Sequence, residues 1–352
     1  MIAGLHSLPQ HLRASSVERV DRDRDGRRVL TLCEGSSLAW WRESDLGWSP
    51  AVPGDDDALP FCARLPAELA AEGARVLAWK PGRRLALLAL RAEGPVVIKA
   101  YRPSSFVRAR DAHATAERAL AGGDLQFARL RGADDALCCL EFEFVAGSLL
   151  GIDESAQQQH FRLGSGLRRM QDAALPLHLS KHDVSEELRV VASMGQRARD
   201  LGMPPPEEFD GAFGRCRDAA HRVPAAALVL CHRDLHDGQL LQSRAHIACL
   251  DFDLLCLADP ALDAATFVAH LQLRALQGVT GANTIGALAC ARSFLEGLDR
   301  ECEPGFNARM RLYQACTFLR LAAVHAMRPR WQQLAPQLSS LATRCLEDLD
   351  RA

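Results

Sequence analysis

The sequence has no long apolar run. Its richest candidate, LALLAL at residues 85–90, is far too short to span a bilayer. The opening MIAGLHSLPQHLRASS has neither an extended apolar segment nor a cleavage-like site, so no secretory signal is expected. Charge of one sign is equally scarce: 42 Lys and Arg stand against 44 Asp and Glu, a net charge of -2. Such a balance gives no general pull toward nucleic acid or an anionic membrane, and no local basic patch stands out along the chain. Cysteines are present, but no CxxC pair occurs, and Cys138, Cys139, Cys249 and Cys316 sit in apolar runs. Reduced core thiols are therefore favoured over disulfides or structural zinc. No internal repeat is evident. These absences lead to the expectation of a cytoplasmic protein with neither a nucleic-acid nor a membrane partner.

At 352 residues, 48% hydrophobic and 24% charged, the chain is long enough for two lobes with cores of their own. A polar leader and the solvated stretch DRDRDGRR come first. RVLTL and SLAWW, on either side of Glu34-Gly35-Ser36, then read as a hairpin. Trp40, Trp41 and Trp48 fit aromatic cover for a small sheet better than a stacking platform for sugars or bases. Residues 50–60 form a loop. A short helix is expected from Leu65 to Ala71, followed by strands RVLAW, LALLAL and VVIKAY, punctuated by KPGRR at 80–84 and AEGP at 92–95. ARDAHATAERALAG predicts a helix stopping at Gly122-Gly123. ALCCLEFEFVAGSLL, residues 136–150, begins as a buried strand and breaks at Gly147. From Gln157 onward the pattern is mainly helical. His270 and His325 read as packed or surface residues, and Arg320 and Arg328 as part of a solvated helix face in preference to contacts for an anionic substrate.

Two short stretches carry the chemistry, CHRDLHDGQLL and IACLDFDLL, between Cys231 and Leu255. Asp234 and Gln239 lie five positions apart on one tight loop. A strand, a turn around Ser243 and Arg244, and a returning strand would bring Asp251 back beside them. Three oxygen donors thus converge, a set that suits Mg²⁺ completed by substrate phosphates. Lys99 is flanked by apolar residues, so its ammonium must emerge toward a partner rather than stay buried alone. Asp259 before Pro260 predicts a helix start, with Leu262, Ala265, Phe267, Val268 and Leu271 on its core face.

His232-Arg233-Asp234 through Gln239, followed by Asp251-Phe252-Asp253, resembles the catalytic and metal loops of protein-kinase-like phosphotransferases. The succeeding Asp259-Pro260-Ala261-Leu262-Asp263 is similar to the aminoglycoside phosphotransferase and choline kinase branch. Only seven residues separate Asp251 from Asp259, whereas protein kinases place a long activation segment there, so a small acceptor is expected. The resemblance implies an α+β, bilobal protein-kinase-like fold, with a small antiparallel β-sheet N-lobe and a larger, mainly helical C-lobe. It implies ATP and Mg²⁺ as cofactors and a small hydroxylated molecule as acceptor. Asp234 would be the catalytic base, with Gln239 and Asp251 holding the metal, Asp253 a further metal contact, and Asp263 a brace for the catalytic loop. Lys99 would meet the nucleotide phosphates, held by an ion pair to Glu117. Gly82, with Arg83 or Arg84, would cover the phosphates, and backbone near Glu143, Phe144 and Val145 would hold adenine. The expected division is a β-rich extension at 1–60, a nucleotide-binding lobe at 61–145 and a helical lobe at 146–352. Three positions of these loops depart from the branch: Arg233 stands where Gly is common, Gln239 where Asn is, and Asp253 where Gly is frequent; earlier in the chain Met170-Gln171 stands where a Leu-His pair is often found. Arg233 and Gln239 keep open a second reading, a kinase-like nucleotide-binding scaffold with little or no turnover.

Overall fold

The computed structural model describes residues 17–351 apart from 24, 35, 36, 46, 124, 175–177, 244, 245 and 280. The polar leader, the tip of the first hairpin at Gly35-Ser36 and the Arg244 turn lie outside the described residues. The expected strands at RVLAW, LALLAL and VVIKAY occupy Arg75–Lys80, Arg84–Arg91 and Gly94–Tyr101. They join Cys139–Glu143 and Leu130–Asp134 in one antiparallel five-stranded sheet. Period-2 alternation sorts the middle strand: Val96, Ile98 and Ala100 enter a core with Phe61, Trp79 and Leu85, while Lys99 and Tyr101 share the opposite face. The Cys139–Glu143 strand ends four residues before Gly147. A Cβ at Gly147 would lie 2.8 Å from the Gln242 carbonyl, so only glycine lets this connector pass so close to the Leu240–Gln242 strand.

Nine α-helices occur among the described residues, and seven of them follow residue 150. Ala261–Gln277 and Phe306–Ala326 run through the centre of this part and are buried on nearly all sides. None of the helices is long and apolar enough to cross a membrane. The cysteines form no disulfide, and most of them are buried. Two short hairpin strands, Leu240–Gln242 and Ile247–Cys249, pair in register and return the chain to Asp251.

The N-terminal region is more regular than expected. Val17–Arg22, Arg28–Glu34, Ser37–Ser44 and Gly47–Pro50 make a four-stranded antiparallel sheet. Its first strand was hidden because Val17 and Val20 are three residues apart, and a register shift between Val17 and Arg19 is what brings both to one side. Both faces of the sheet are covered. Val29 and Trp40 pack into the core of the five-stranded sheet, where Trp40 meets Trp79 edge-on at 5.8 Å. Leu30 and Leu32 pack instead with Ala198, Leu201, Met203 and Met327 of the helical part.

Candidate active site

Residues 232–239 are held from below by Asp263, whose carboxylate accepts the backbone N–H groups of His232 and Arg233, both at 2.7 Å. His232 in turn places its Nε2 2.8 Å from the Leu250 carbonyl, tying this loop to the strand that leads into Asp251. Arg233 has φ 70, in the left-handed region. That backbone favours glycine, which explains why an arginine here looked anomalous: Asp263 holds the peptide in place whatever the side chain is. Asp259 accepts the Ala261 N–H at 2.9 Å and pairs with Arg309 at 3.0 Å, so it is structural.

Asp234 projects from this loop into a cleft of about 330 Å³ that Asp251 and Asp253 also line. Burial opposes ionisation of Asp234, but the guanidinium of Arg320, 3.4 Å away, with neighbouring His236 and His270, outweighs it and holds the carboxyl well below its usual range. Arg320 is half-buried, with its Nε 3.8 Å from the buried Glu187. The solvated face expected for it is not observed. His236 and His270 stack beside Asp234 with ring centroids 4.8 Å apart. Adjacent Asp237 has both oxygens taken by Arg274, at 2.9 and 2.8 Å.

The expected convergence on Asp251 is present: Gln239 Nε2 lies 3.3 Å from its Oδ2. Lys99 donates to Asp251 Oδ1 at 2.6 Å and to Asp253 Oδ1 at 3.2 Å. Arg84 reaches Asp253 Oδ2 at 3.0 Å. Tyr101 Oη and His113 Nε2 add contacts to Asp253 Oδ1 at 2.8 and 2.9 Å. Burial would raise the Asp253 carboxyl, but Lys99, His113 and Arg84 hold it well below its usual range. The carboxylates of Asp251 and Asp253 form an oxygen donor set that fits a hard divalent cation, with the Gln239 amide beside them presenting its nitrogen to Asp251, and Lys99 and Arg84 now supply the positive charge those carboxylates require.

One expectation needs correction. Glu117 does not pair with Lys99, whose ion pairs among the described residues are to Asp251 and Asp253. The helix Pro103–Leu120 instead presents His113, one turn earlier, and the carboxylates that meet the lysine are those of Asp251 and Asp253. Glu117 lines a separate cavity of about 690 Å³ with Glu143, Phe144 and Val145. Gly82 has its N–H engaged by Asp56 at 2.7 Å, so that group is not directed at a ligand. Arg83 is exposed at the cleft rim. Tyr101 could have been found from its position two residues after Lys99 on the same strand face. His113 was legible only as a residue four before Glu117 on one helix face.

A small antiparallel sheet over a helical part, with this loop pair between them, defines a protein-kinase-like architecture. The model of the phosphotransferase enzyme family matches residues 84–298, well over half of the chain, and the protein belongs to that family. Solved structures agree on the fold. Choline kinase LicA from Streptococcus pneumoniae superposes with a TM-score of 0.58 at 12% identity, covering 81% of this chain and 98% of that one. The amicoumacin kinase hAmiN, solved in complex with AMP-PNP, Ca²⁺ and Ami, gives 0.56 at 13% identity, covering 82% and 93%. Aminoglycoside phosphotransferase APH(3'')-Id from Streptomyces rimosus gives 0.52 at 17% identity, covering 76% and 98%. No curated protein matches by sequence.

Proposed function

We propose that the protein transfers the γ-phosphoryl group of ATP to a hydroxyl of a small molecule. The observation that carries this reading is the meeting of ionised Asp234 with the Asp251, Gln239 and Asp253 donor set in one cleft. The acceptor oxygen forms its bond to phosphorus as the bond to the β-phosphate oxygen breaks, ADP leaves, and the hydroxyl proton passes to Asp234. Because the transition state of phosphoryl transfer is loose, little basicity is required. A carboxylate held far below its usual range serves chiefly to orient the hydroxyl. Gln239, Asp251 and Asp253 would hold Mg²⁺, which when bound neutralises charge on the phosphates. Lys99 and Arg84 then turn from the carboxylates to the phosphate oxygens. Adenine is assigned to the connector after Glu143, including Val145, where the chain leaves the sheet. In this reading residues 61–145 serve the nucleotide, 146–352 carry the chemistry, and the N-terminal extension joins the two.

Transfer of labelled phosphate from ATP with Mg²⁺ across hydroxylated small molecules tests this. Asp234→Asn should lower turnover by about 10²–10³-fold while nucleotide affinity is kept. Full activity in that variant would remove Asp234 from its role. Nucleotide binding with no transfer to any acceptor would favour the scaffold reading.

A further inference from the structure

No basic patch is visible along the sequence, yet folding assembles one. Lys80 and Arg83 on the KPGRR turn, and Arg102 and Arg108 at the start of the Pro103–Leu120 helix, line the same cleft as Asp234, with Ser105 among them. Among the described residues none of these four cations has a carboxylate within ion-pair distance. Their neighbour Arg84 differs, since its charge is spent on Asp251 and Asp253. On the other flank of Asp234 stands Arg320, whose buried Nε has no hydrogen-bond partner.

Lys99 and Arg84, beside the metal donor set, are the cations placed for the nucleotide phosphates. Lys80, Arg83, Arg102 and Arg108 are then in excess. Gathering like charges around a half-buried cleft is unfavourable unless a counter-charge joins them. We infer that the acceptor is itself an anion, a small hydroxylated molecule already bearing a phosphate or carboxylate group, which Arg102, Arg108 and Lys80 grip while its hydroxyl faces Asp234. A quaternary ammonium or protonated amino sugar would meet like charge at the same place. The inference rests on the phosphotransferase reading for the second half of that statement only; the preference for an anion stands on the cleft.

Lys80 adds an independent signature. Burial, with Arg84 and Arg19, lowers its ammonium to about 8, against the opposing pull of Asp234 and Asp21. An anion seated beside it would raise that value again, so binding above pH 8 should take up protons.

The test uses the full chain saturated with AMP-PNP and Mg²⁺, titrated calorimetrically with matched probes. These are glucose and glycerol, glucose 6-phosphate, glycerol 3-phosphate and gluconate, and choline and glucosamine. Binding confined to the anionic probes, with proton uptake at pH 8.5, is expected. Arg102 and Arg108 are exposed, so Arg102→Ala with Arg108→Ala should fold normally. It should weaken the anionic probe about tenfold or more and leave AMP-PNP affinity unchanged. Equal or tighter binding of the neutral or cationic probes, no binding of any anionic probe, or a loss of AMP-PNP affinity alone would overturn the assignment. Anionic probes that bind but receive no phosphate from ATP would leave the charge assignment standing and count against the phosphotransferase reading.

Discussion

Two buried carboxylates, one beneath the 232–239 loop and one lining the cleft, are held in opposite ways. Asp263 is met by backbone, the N–H groups of His232 and Arg233. Among the described residues Asp253 is met by side chains, those of Lys99, Arg84, Tyr101 and His113. The first fixes a shape, and the second balances charge. A backbone-held group tolerates change in the side chains above it, which is how Arg233 can occupy a left-handed position. A side-chain-held group is committed to the identity of every partner.

The largest effect is expected at Asp263. Asp263→Ala leaves two buried N–H groups without acceptors and should cost about 3 kcal/mol or more in denaturant unfolding, with turnover falling alongside. A cost below about 1 kcal/mol would mean that something else shapes the loop. Next comes Asp253→Asn, expected to cost about 2 kcal/mol at neutral pH because Lys99 and Arg84 retain Asp251. Its folded value lies well below the ordinary 3.8. The stability it contributes is therefore present above that ordinary value and lost as pH falls through the folded one. The deficit of Asp253→Asn should accordingly stay level from pH 8 to 5 and shrink below about 4; a deficit unchanged in acid would show that the carboxylate's charge is not what matters. The smallest effect is expected for Arg233→Gly. Relief of the left-handed backbone is worth about 1 kcal/mol, partly offset by greater freedom in the unfolded chain, so unfolding should change by less than that. A larger loss would locate a packing role in the Arg233 side chain.

The same contrast explains what could be read from the sequence. Asp263, the loop at 232–239 and Asp251 lie within one stretch of the chain, and their order is itself a pattern. Four strands of the five-stranded sheet were legible from their apolar runs and the glycine or proline turns between them, whereas Leu130–Asp134, mostly exposed, gave no such signal. The partners of Asp253 come from three elements scattered between residues 84 and 113, and nothing local marks them as neighbours. The resemblance points to a carboxylate on the helix, Glu117, but the lysine's carboxylates come from Asp251 and Asp253, and the helix supplies the imidazole of His113. The cation-lined cleft was invisible for a like reason. Lys80, Arg83, Arg102 and Arg108 are diluted in a chain of near-zero net charge, and only the turn and the helix start set side by side concentrate them. Val17–Arg22 escaped because a bulge broke its period.

The N-terminal sheet has a consequence for how the molecule comes apart. Two lobes joined by a single connector would ordinarily be free to melt one after the other. Here alternate residues of one strand, Val29 on one side and Leu30 and Leu32 on the other, complete the cores of both halves, and Val20 N–H bonds to the Met327 carbonyl. Neither half can lose its interior without exposing the sheet that the other half needs. The two parts are therefore expected to unfold as one cooperative unit, with a single transition on heating; two separate transitions in calorimetry would show that the sheet does not couple them.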